Sequence, residues 1–220
     1  MRVLSWNCNL GLNTKIEPIL ELDPDVAVIS ECARDARIPG LERVGWTGRN
    51  PSKGLAVYAR GGGSIDPSHD PSRQWFLPAR PENYPPILAI WAMNHRGSEP
   101  RPSHGRTISA LNSYASFLAD VEMVVGDFND NAKWEKSGLP QAANILRGHG
   151  LRSAYHEQTG EPFGEETSPT FRMNRSSTRT HHIDYAFTRG AWAMAILPFD
   201  EWRAYSDHSP LLIYKAHGQT

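Results

Sequence analysis

Several apolar, strand-like runs of the sequence end at, or contain, a carboxylate or carboxamide side chain. They are Asn7 after RVLSW, Glu31 after DVAVIS, Asp127 after VEMVVG with Asn129 two positions on, Asp184 within HHIDYAF, and Asp207 with His208 ahead of SPLL. Each one alone fits an ordinary role, such as a turn cap, an Asx-turn or a solvated strand end. A carboxylate inside an apolar strand is costly to bury unpaired, and His208 is a natural partner for Asp184. The recurrence indicates one polar site assembled from distant parts of the chain.

These residue types suit a hard divalent cation and a phosphate group. Mg²⁺ takes oxygen ligands and keeps several waters, so one or two carboxylates and an amide oxygen are sufficient to hold it. The sequence has no close pair of cysteine or histidine ligands at zinc spacing, and His181 and His182 would point to opposite faces of a strand. In phosphoryl transfer, a metal and an imidazolium stabilise charge on the phosphate while a carboxylate activates water. The set therefore predicts hydrolysis of a phosphoester.

Strand and helix patterns alternate along the chain in a way that would position these residues. Arg2–Trp6 and Asp25–Ser30 are strand-like, and Thr14–Leu22 between them has helical spacing. Thr107–Ala119 is the clearest helical pattern, whereas the interrupted stretch 60–86 predicts turns and edge strands. Strand-rich blocks flanked by helices favour an α/β fold with two packed sheets over a doubly wound parallel sheet.

The composition is that of an ordinary globular chain. With 220 residues, 39% of them apolar, the sequence predicts a single domain over residues 1–220 with a sizeable core. Its net charge of −1 differs from the strongly basic balance of a general duplex binder, although a local basic patch is compatible with it. The sequence contains no signal-peptide pattern and no apolar run of ~20 residues, so we expect a cytoplasmic protein without a membrane partner. We also expect a monomer.

The motifs LSWNCN, VISE, VVGDFND, HIDYAF and SDHSPL, in this order, resemble those of the endonuclease/exonuclease/phosphatase superfamily, whose fold is like that of deoxyribonuclease I. The resemblance spans almost the whole chain. GDFN alone is moderately specific, and SDHSPL with HIDY shortly before it makes the combination strong. The resemblance implies a four-layer α/β/β/α sandwich of two packed mixed sheets, with the site at one edge of the sheets.

The resemblance also implies a metal site near the first two strands. Glu31 would be the principal Mg²⁺ ligand, Asn7 would lie beside it, and Asp207 would complete the shell directly or through water. Mn²⁺ is a possible substitute. Cys8 and Cys32 each follow one of these residues directly, and we expect both thiols to be buried and reduced.

The remaining motif residues would carry the chemistry. By the resemblance, Asp127 would orient and activate the attacking water, and Asn129 would hold the phosphate or the nucleophile. Asp184 would hydrogen-bond His208 and keep it charged, so that His208 contacts the scissile phosphate.

Weaker candidates for substrate contacts lie outside these motifs. The superfamily often has a His or Tyr after the central strand that touches phosphate, and His95 follows the run ILAIWAMN directly. The sequence fits an ordinary histidine in a surface turn at position 95 equally well. His104 and Arg106 lie further along and are the other candidates at this position.

A second group of candidates lies in the segment RMNRSSTRTHH, which reads as a hairpin beside the site. Its arginines are Arg172, Arg175 and Arg179, which would meet phosphate or would simply be solvated. Four aromatic residues could stack on bases or belong to the core: Trp6, Trp134, Phe171 and Trp202.

These observations predict a Mg²⁺-dependent nuclease that acts on DNA or RNA, with nucleic acid as its expected partner. The alternative is a phosphodiesterase or phosphatase for a small phosphoester. A non-catalytic binding module on the same fold is disfavoured, because none of the matched catalytic positions is lost.

Overall fold

The structure, a computed structural model, describes residues 1–93 and 103–215, and for residues 103–105 the backbone alone. The described strands are β1 (Arg2–Asn7), β2 (Val26–Cys32), β3 (Glu42–Asn50), β4 (Lys53–Ala59), β5 (Gly63–Ile65), β6 (Phe76–Pro81), β7 (Ile87–Trp91), β8 (Met123–Asp127), β9 (Arg152–Ser153), β10 (Phe171–Arg172), β11 (Thr180–His181), β12 (Asp184–Thr188), β13 (Trp192–Ile196) and β14 (Leu211–Lys215). The helices are α1 (Ile16–Glu21), α2 (Ser103–Ser113), α3 (Ala115–Asp120), α4 (Leu139–Gly148), α5 (Ala154–Thr159) and α6 (Phe199–Trp202). No helix in this part of the chain has the length and apolar content that crossing a bilayer requires.

The first sheet brings strands from opposite ends of the chain together, in the order β13-β14-β1-β2-β4-β3. β1 and β2 are parallel, while the other neighbours are antiparallel, so the sheet is mixed. Side chains alternate between its faces, as strand geometry requires. Val3 and Val28 pack in the core between the sheets, whereas Leu4 and Ile29 pack on the opposite face.

The second sheet has the order β5-β6-β7-β8-β12-β9, and its only parallel pair among the described strands is β7 with β8. Helices α2, α3 and α4 contribute Leu111, Leu118 and Leu146 to its outer side. On the outer face of the first sheet, Ile19 of α1 and Trp202 of α6 complete a separate apolar cluster. The α/β sandwich of two packed mixed sheets is therefore confirmed.

Two local predictions can be compared with the structure directly. The helical pattern Thr107–Ala119 forms two helices, α2 and α3, because the backbone leaves helical geometry at Tyr114. The hydroxyl of Tyr114 accepts a hydrogen bond from the backbone of Asp70, a contact that local spacing does not reveal. The stretch 60–86 contains β5, which lies at the edge of its sheet, and β6.

The two cysteines are free and fully buried, as predicted. Both pack in the cluster between the first sheet and α1, where Cys8 Sγ lies 3.5 Å from the carbonyl of Glu31. Burial raises the pKa of the Cys8 thiol to about 12 and also raises that of Cys32. Both thiols are therefore protonated and unreactive near neutral pH.

Candidate active site

The candidate site lies where strands of both sheets end. β1 ends at Asn7, and Glu31 is near the end of the adjacent β2. In the second sheet, β8 ends at Asp127 and β12 begins at Asp184, and the two residues are directly paired across the ladder. Because β1 and β2 pack against β8, these ends meet at one edge of the sandwich. Two opposed carboxylates repel each other unless a cation lies between them.

Asp127 is the centre of a buried hydrogen-bond network. Its Oδ1 accepts the backbone N–H of Asn129 at 2.8 Å, and its Oδ2 accepts the side-chain amides of Asn129 at 2.9 Å and Asn7 at 3.0 Å. Asn129 has a left-handed backbone, with φ of 48°, as in a turn that folds back on its first residue. A carboxylate has about four acceptor positions, so one remains for a further donor.

The environment of Asp127 favours its protonated form more than usual. Burial, and then the nearby charge of Asp184, raises the pKa of Asp127 to about 7. A carboxylate with a pKa near 7 can take a proton from water at neutral pH and release it again.

His208 is held by Asp184 and points its other nitrogen towards Asp127. Its Nδ1 lies 2.9 Å from Asp184 Oδ2, and its Nε2 lies 4.0 Å from Asp127 Oδ2. The ring of Phe171 packs on the imidazole at a centroid distance of 4.7 Å. Burial alone would lower the pKa of His208, but Asp184 and then Asp127 outweigh it and raise the pKa to about 9. His208 is therefore an imidazolium whose Nε2–H makes no hydrogen bond to a residue that the structure describes.

We expect the charge on His208 to depend on Asp184. In metal-free protein, NMR titration of the imidazole should give a pKa near 9, and Asp184→Asn should lower it towards or below the ordinary 6.5. The raised pKa stabilises the folded state fully below pH 6.5, and this stabilisation is lost as the pH rises through about 9. An unchanged pKa in the variant would contradict the assignment.

Glu31 is aimed at Asn7 by an irregularity in β2. The pairing of β2 with β4 shifts register between Ser30 and Cys32, and Glu31 has a left-handed φ of 60°. Such a bulge re-aims a side chain. Glu31 Oε1 accepts a hydrogen bond from the Asn7 amide at 3.4 Å, and Oε2 lies 3.0 Å from the ammonium of Lys53.

Asp127, Asp184 and His208 are close enough to one another to hold one metal ion. This group is a poor metal site, because an imidazolium has no free lone pair and its positive charge already offsets the two carboxylates. The trio is better described as a closed ion-pair network.

Glu31 and Asn7 fit Mg²⁺ better than that trio does. Glu31 offers hard carboxylate oxygens, and Mg²⁺ needs only one or two protein carboxylates. Asn7 directs its amide nitrogen towards Glu31, and its Oδ1 accepts the backbone N–H of Asn9 at 3.0 Å, which leaves one lone pair of this oxygen for an ion. The Lys53 ammonium beside Glu31 shows that this carboxylate already attracts a cation. The donor set is thus chemically suited to a hard divalent ion.

Asp207, which directly precedes His208, is the third residue predicted for the metal shell. Its side chain is half-buried and makes no hydrogen bond or ion pair with any residue in 1–93 or 103–215. Burial lowers the pKa of Lys15, and the charges of Asp207 and Glu31 oppose that shift. The place of Asp207 in a metal shell stays a prediction.

Sequence reasoning missed two hydroxyl residues that brace the site. The fully buried Ser206 donates from Oγ to the Asn7 carbonyl at 2.7 Å and accepts the His208 backbone N–H at 3.0 Å. Thr170 Oγ1 accepts the backbone N–H groups of Ile183 and Asp184 at 3.0 Å each. Serine and threonine occur in turns throughout the chain, so residue type alone does not reveal these contacts.

A third missed residue, Lys15, ties the loop after β1 to the segment before His208. Its Nζ donates to the carbonyls of Cys8 at 2.6 Å, Asn9 at 3.3 Å, Leu10 at 2.8 Å and Tyr205 at 2.5 Å. Asn9 and Leu10 have left-handed backbones that turn these carbonyls towards the ammonium. Lys15 thereby fixes the loop that follows Asn7.

Gly126 permits the close approach of β8 to β7 that places Asp127. Its φ is 143°, and a Cβ at this position would lie 1.9 Å from the carbonyl oxygen of Ile90. We expect Gly126→Ala to lower the free energy of unfolding by roughly 3 kcal/mol or more, because backbone must move. The control is Gly148→Ala at the end of α4, where a Cβ meets nothing within 4 Å. Chemical denaturation measures both, and equal stability of the two variants would contradict this expectation.

The arginine segment forms a hairpin beside His208. β10 and β11 pair with Phe171 opposite His181, and Phe171 also pairs with His208. The guanidinium of Arg172 lies over the ring of Phe199 at 4.7 Å. The other two arginines, Arg175 and Arg179, are exposed.

The candidates after the central strand are His95, His104 and Arg106. His95 lies outside the described residues. His104 falls in the first turn of α2, where the backbone alone is described, and Arg106 is a half-buried residue of the same helix.

Trp6 and Trp202 are buried and pack on each other at 5.0 Å, so a base-stacking role is wrong for these two.

No family model matches the sequence, and no curated protein matches it. Solved structures do match over nearly the whole chain, each at 16% sequence identity. An endonuclease/exonuclease/phosphatase from Beutenbergia cavernae aligns with all of this chain and 73% of its own, with a TM-score of 0.60. The endonuclease domain of TRAS1, a telomere-specific non-LTR retrotransposon, aligns over 100% and 99% of the two chains, with a TM-score of 0.59.

The cytolethal distending toxin of Haemophilus ducreyi aligns over 98% of each chain, with a TM-score of 0.54. At 16% identity, these similarities establish the fold and leave the activity to the residues of the site. The protein has the α/β fold of the endonuclease/exonuclease/phosphatase proteins.

Proposed function

We propose that the protein is a Mg²⁺-dependent hydrolase of phosphoester bonds, and that it is a nuclease cleaving DNA or RNA phosphodiesters with water. One observation carries the proposal. His208, a charged donor, lies beside Asp127, a carboxyl group with a pKa near 7: His208 Nε2 is 4.0 Å from Asp127 Oδ2, and Asp127 Oδ1 keeps one acceptor position besides the Asn129 N–H. A donor for phosphate oxygen next to a base for water is the pair that phosphodiester hydrolysis needs.

In this proposal His208 acts on the phosphate. Its Nε2–H donates to a non-bridging phosphate oxygen, and its positive charge offsets the negative charge that builds up in the transition state. Asp184 fixes the ring through Nδ1 and keeps it protonated, so His208 does not lose its proton to the phosphate.

Asp127 acts on the water. The three hydrogen bonds from Asn129 and Asn7 hold its carboxylate in one orientation and leave one acceptor position for the attacking water. Asp127 then takes the water proton as the water oxygen bonds to phosphorus and the bond from phosphorus to the leaving oxygen breaks, and the leaving oxygen takes a proton from solvent. The side-chain amide of Asn129 lies beside this position and would orient the water or the phosphate.

Glu31, Asn7 and Asp207 are the residues that would hold Mg²⁺. When bound, the ion supplies positive charge for the phosphate and the leaving oxygen. Lys53 would have to move from Glu31 or share it with the ion, because its ammonium lies at 3.0 Å.

A substrate panel tests this function. The purified protein is incubated with Mg²⁺, Mn²⁺ or a chelator and with single-stranded DNA, duplex DNA, RNA, an abasic duplex and small phosphodiesters. The expected result is metal-dependent cleavage of a nucleic acid, weakened steeply by salt. Turnover of small phosphodiesters alone, with little dependence on salt, would support the alternative hydrolase. No hydrolysis of any of them would favour a binding module.

A further inference from the structure

We propose that an aromatic row beside His208 binds the bases of a single-stranded nucleic acid next to the scissile phosphate. The aromatic row consists of Phe171, His181 and Trp134, in order of increasing distance along the row from His208. This inference rests on the proposed nuclease function and names the form of its substrate.

The row is continuous from the catalytic imidazole outwards. Ring centroids of His208 and Phe171 are 4.7 Å apart, those of Phe171 and His181 are 6.4 Å apart, and those of His181 and Trp134 are 5.3 Å apart. The three residues of the row are half-buried, whereas Trp6 and Trp202 are in the core. Partly exposed rings that lead away from a phosphate site are the arrangement on which single-strand binders stack bases.

The orientation of the rings favours a single strand over a duplex. The ring planes of Phe171 and His181 are inclined by 19°, whereas those of His181 and Trp134 are inclined by 75°, so bases lying on the faces of His181 and Trp134 cannot stay stacked on each other. In a duplex, the faces of the bases are covered by their neighbours. A single strand has accessible faces and loses less stacking when it is extended.

The far end of the aromatic row opens on a cavity that could hold one base. The cavity has a volume of about 450 Å³, and Trp134 and His181 line it together with Lys133, Thr180 and Glu166, whose carboxylate is paired with His156. Small-ligand sites in proteins begin at about 300 Å³. The aromatic rings suit the face of a nucleobase, and the ammonium of Lys133 and the hydroxyl of Thr180 suit the polar atoms at its edge.

Exposed cations lie beside the aromatic row, where a backbone would run. Arg175 and Arg179 belong to the same hairpin as Phe171 and His181, and they have no carboxylate partner among the described residues. Lys133 precedes Trp134 and is also exposed. Phosphates would contact these side chains while the bases contact the rings, which is the usual division in single-strand grooves.

Binding to metal-free protein tests the inference apart from catalysis. Fluorescence anisotropy is measured with a labelled single-stranded oligonucleotide and with one of equal length that lacks bases on both sides of the central phosphate. We expect Trp134→Ala to weaken binding of the intact oligonucleotide by about tenfold and to leave binding of the oligonucleotide that lacks these bases nearly unchanged. Arg175→Gln should weaken both equally and reduce the salt slope by about one.

Two variants control for folding. Tyr214→Ala removes an aromatic side chain that is more exposed than Trp134 and lies on β14, outside the aromatic row, and this variant should bind like the native protein. Trp134→Phe keeps a ring and should retain most of the affinity, with an unchanged melting temperature in both Trp134 variants. Equal loss of affinity for the two oligonucleotides in Trp134→Ala, or no loss at all, would overturn the inference.

The outcomes separate this inference from the proposed function. Base-dependent binding without metal-dependent cleavage of any oligonucleotide would refute the nuclease function and leave the aromatic row as a binding site. If the native protein cleaves oligonucleotides and Trp134→Ala binds them as tightly as the native protein does, the role of the aromatic row is refuted and the nuclease function stands.

Discussion

Replacing Asp127 by Asn should lower kcat/KM for phosphodiester hydrolysis by about 10³-fold, within the range that general bases contribute. The substitution preserves the size of the side chain and an acceptor for the Asn129 backbone N–H, which now lies at 2.8 Å. It removes the group that takes the proton of water. Steady-state kinetics with saturating Mg²⁺ measures the loss, and circular dichroism checks the fold.

Asp66→Asn is the matched control for this substitution. Asp66 is also a buried carboxylate that accepts hydrogen bonds from a residue two positions on, Ser68, and it is paired with Arg80 outside the site. This variant should lose stability and keep the kcat/KM of the native protein. Native-like activity of Asp127→Asn would refute the assigned base.

His208→Ala should lower kcat by about 10²- to 10³-fold, the cost of removing one donor that stabilises transition-state charge. Asp184→Asn should cost a similar factor on its own, because Asp184 acts through His208 at 2.9 Å. In the double variant, the two losses should not add. Residues that act as a unit are non-additive in this way, and a double-mutant cycle on kcat measures it.

The cycle distinguishes positioning by Asp184 from an independent role at the metal. Losses that multiply in the double variant would mean that Asp184 acts separately from His208. His208→Gln provides a second test in case the alanine variant folds poorly, because it retains a donor and most of the volume at this buried position.

The strand ends that meet at the candidate site could be predicted from sequence because their polar residues break apolar runs. Asp184 is the clearest example, since a buried carboxylate requires a partner and His208 lies 2.9 Å away. The two-sheet architecture followed from the same runs. The division of the helix at Tyr114 could not be predicted, because the contact of its hydroxyl with Asp70 joins residues far apart in the sequence.

The residues that hold the site in place could not be predicted from sequence for a related reason. Ser206, Thr170 and Lys15 act through backbone groups of distant residues, and backbone groups have no signature in the sequence. The left-handed φ of Glu31 could not be predicted either, because glutamate rarely adopts that conformation and the bulge in β2 imposes it. Residue type indicates which chemistry a side chain can perform, whereas tertiary contacts determine how that side chain is held in place.

The pairing of β1 with β14 has a consequence for the order in which the protein is made. Asn7 emerges from the ribosome early, but Ser206 and His208, which complete the site, are 199 and 201 positions later in the printed sequence. Translation at ~5–20 residues per second leaves the earlier strands waiting for roughly ten seconds or more for β14. Under the proposed function, the site therefore lacks its phosphate-binding imidazole until His208 has been added to the chain.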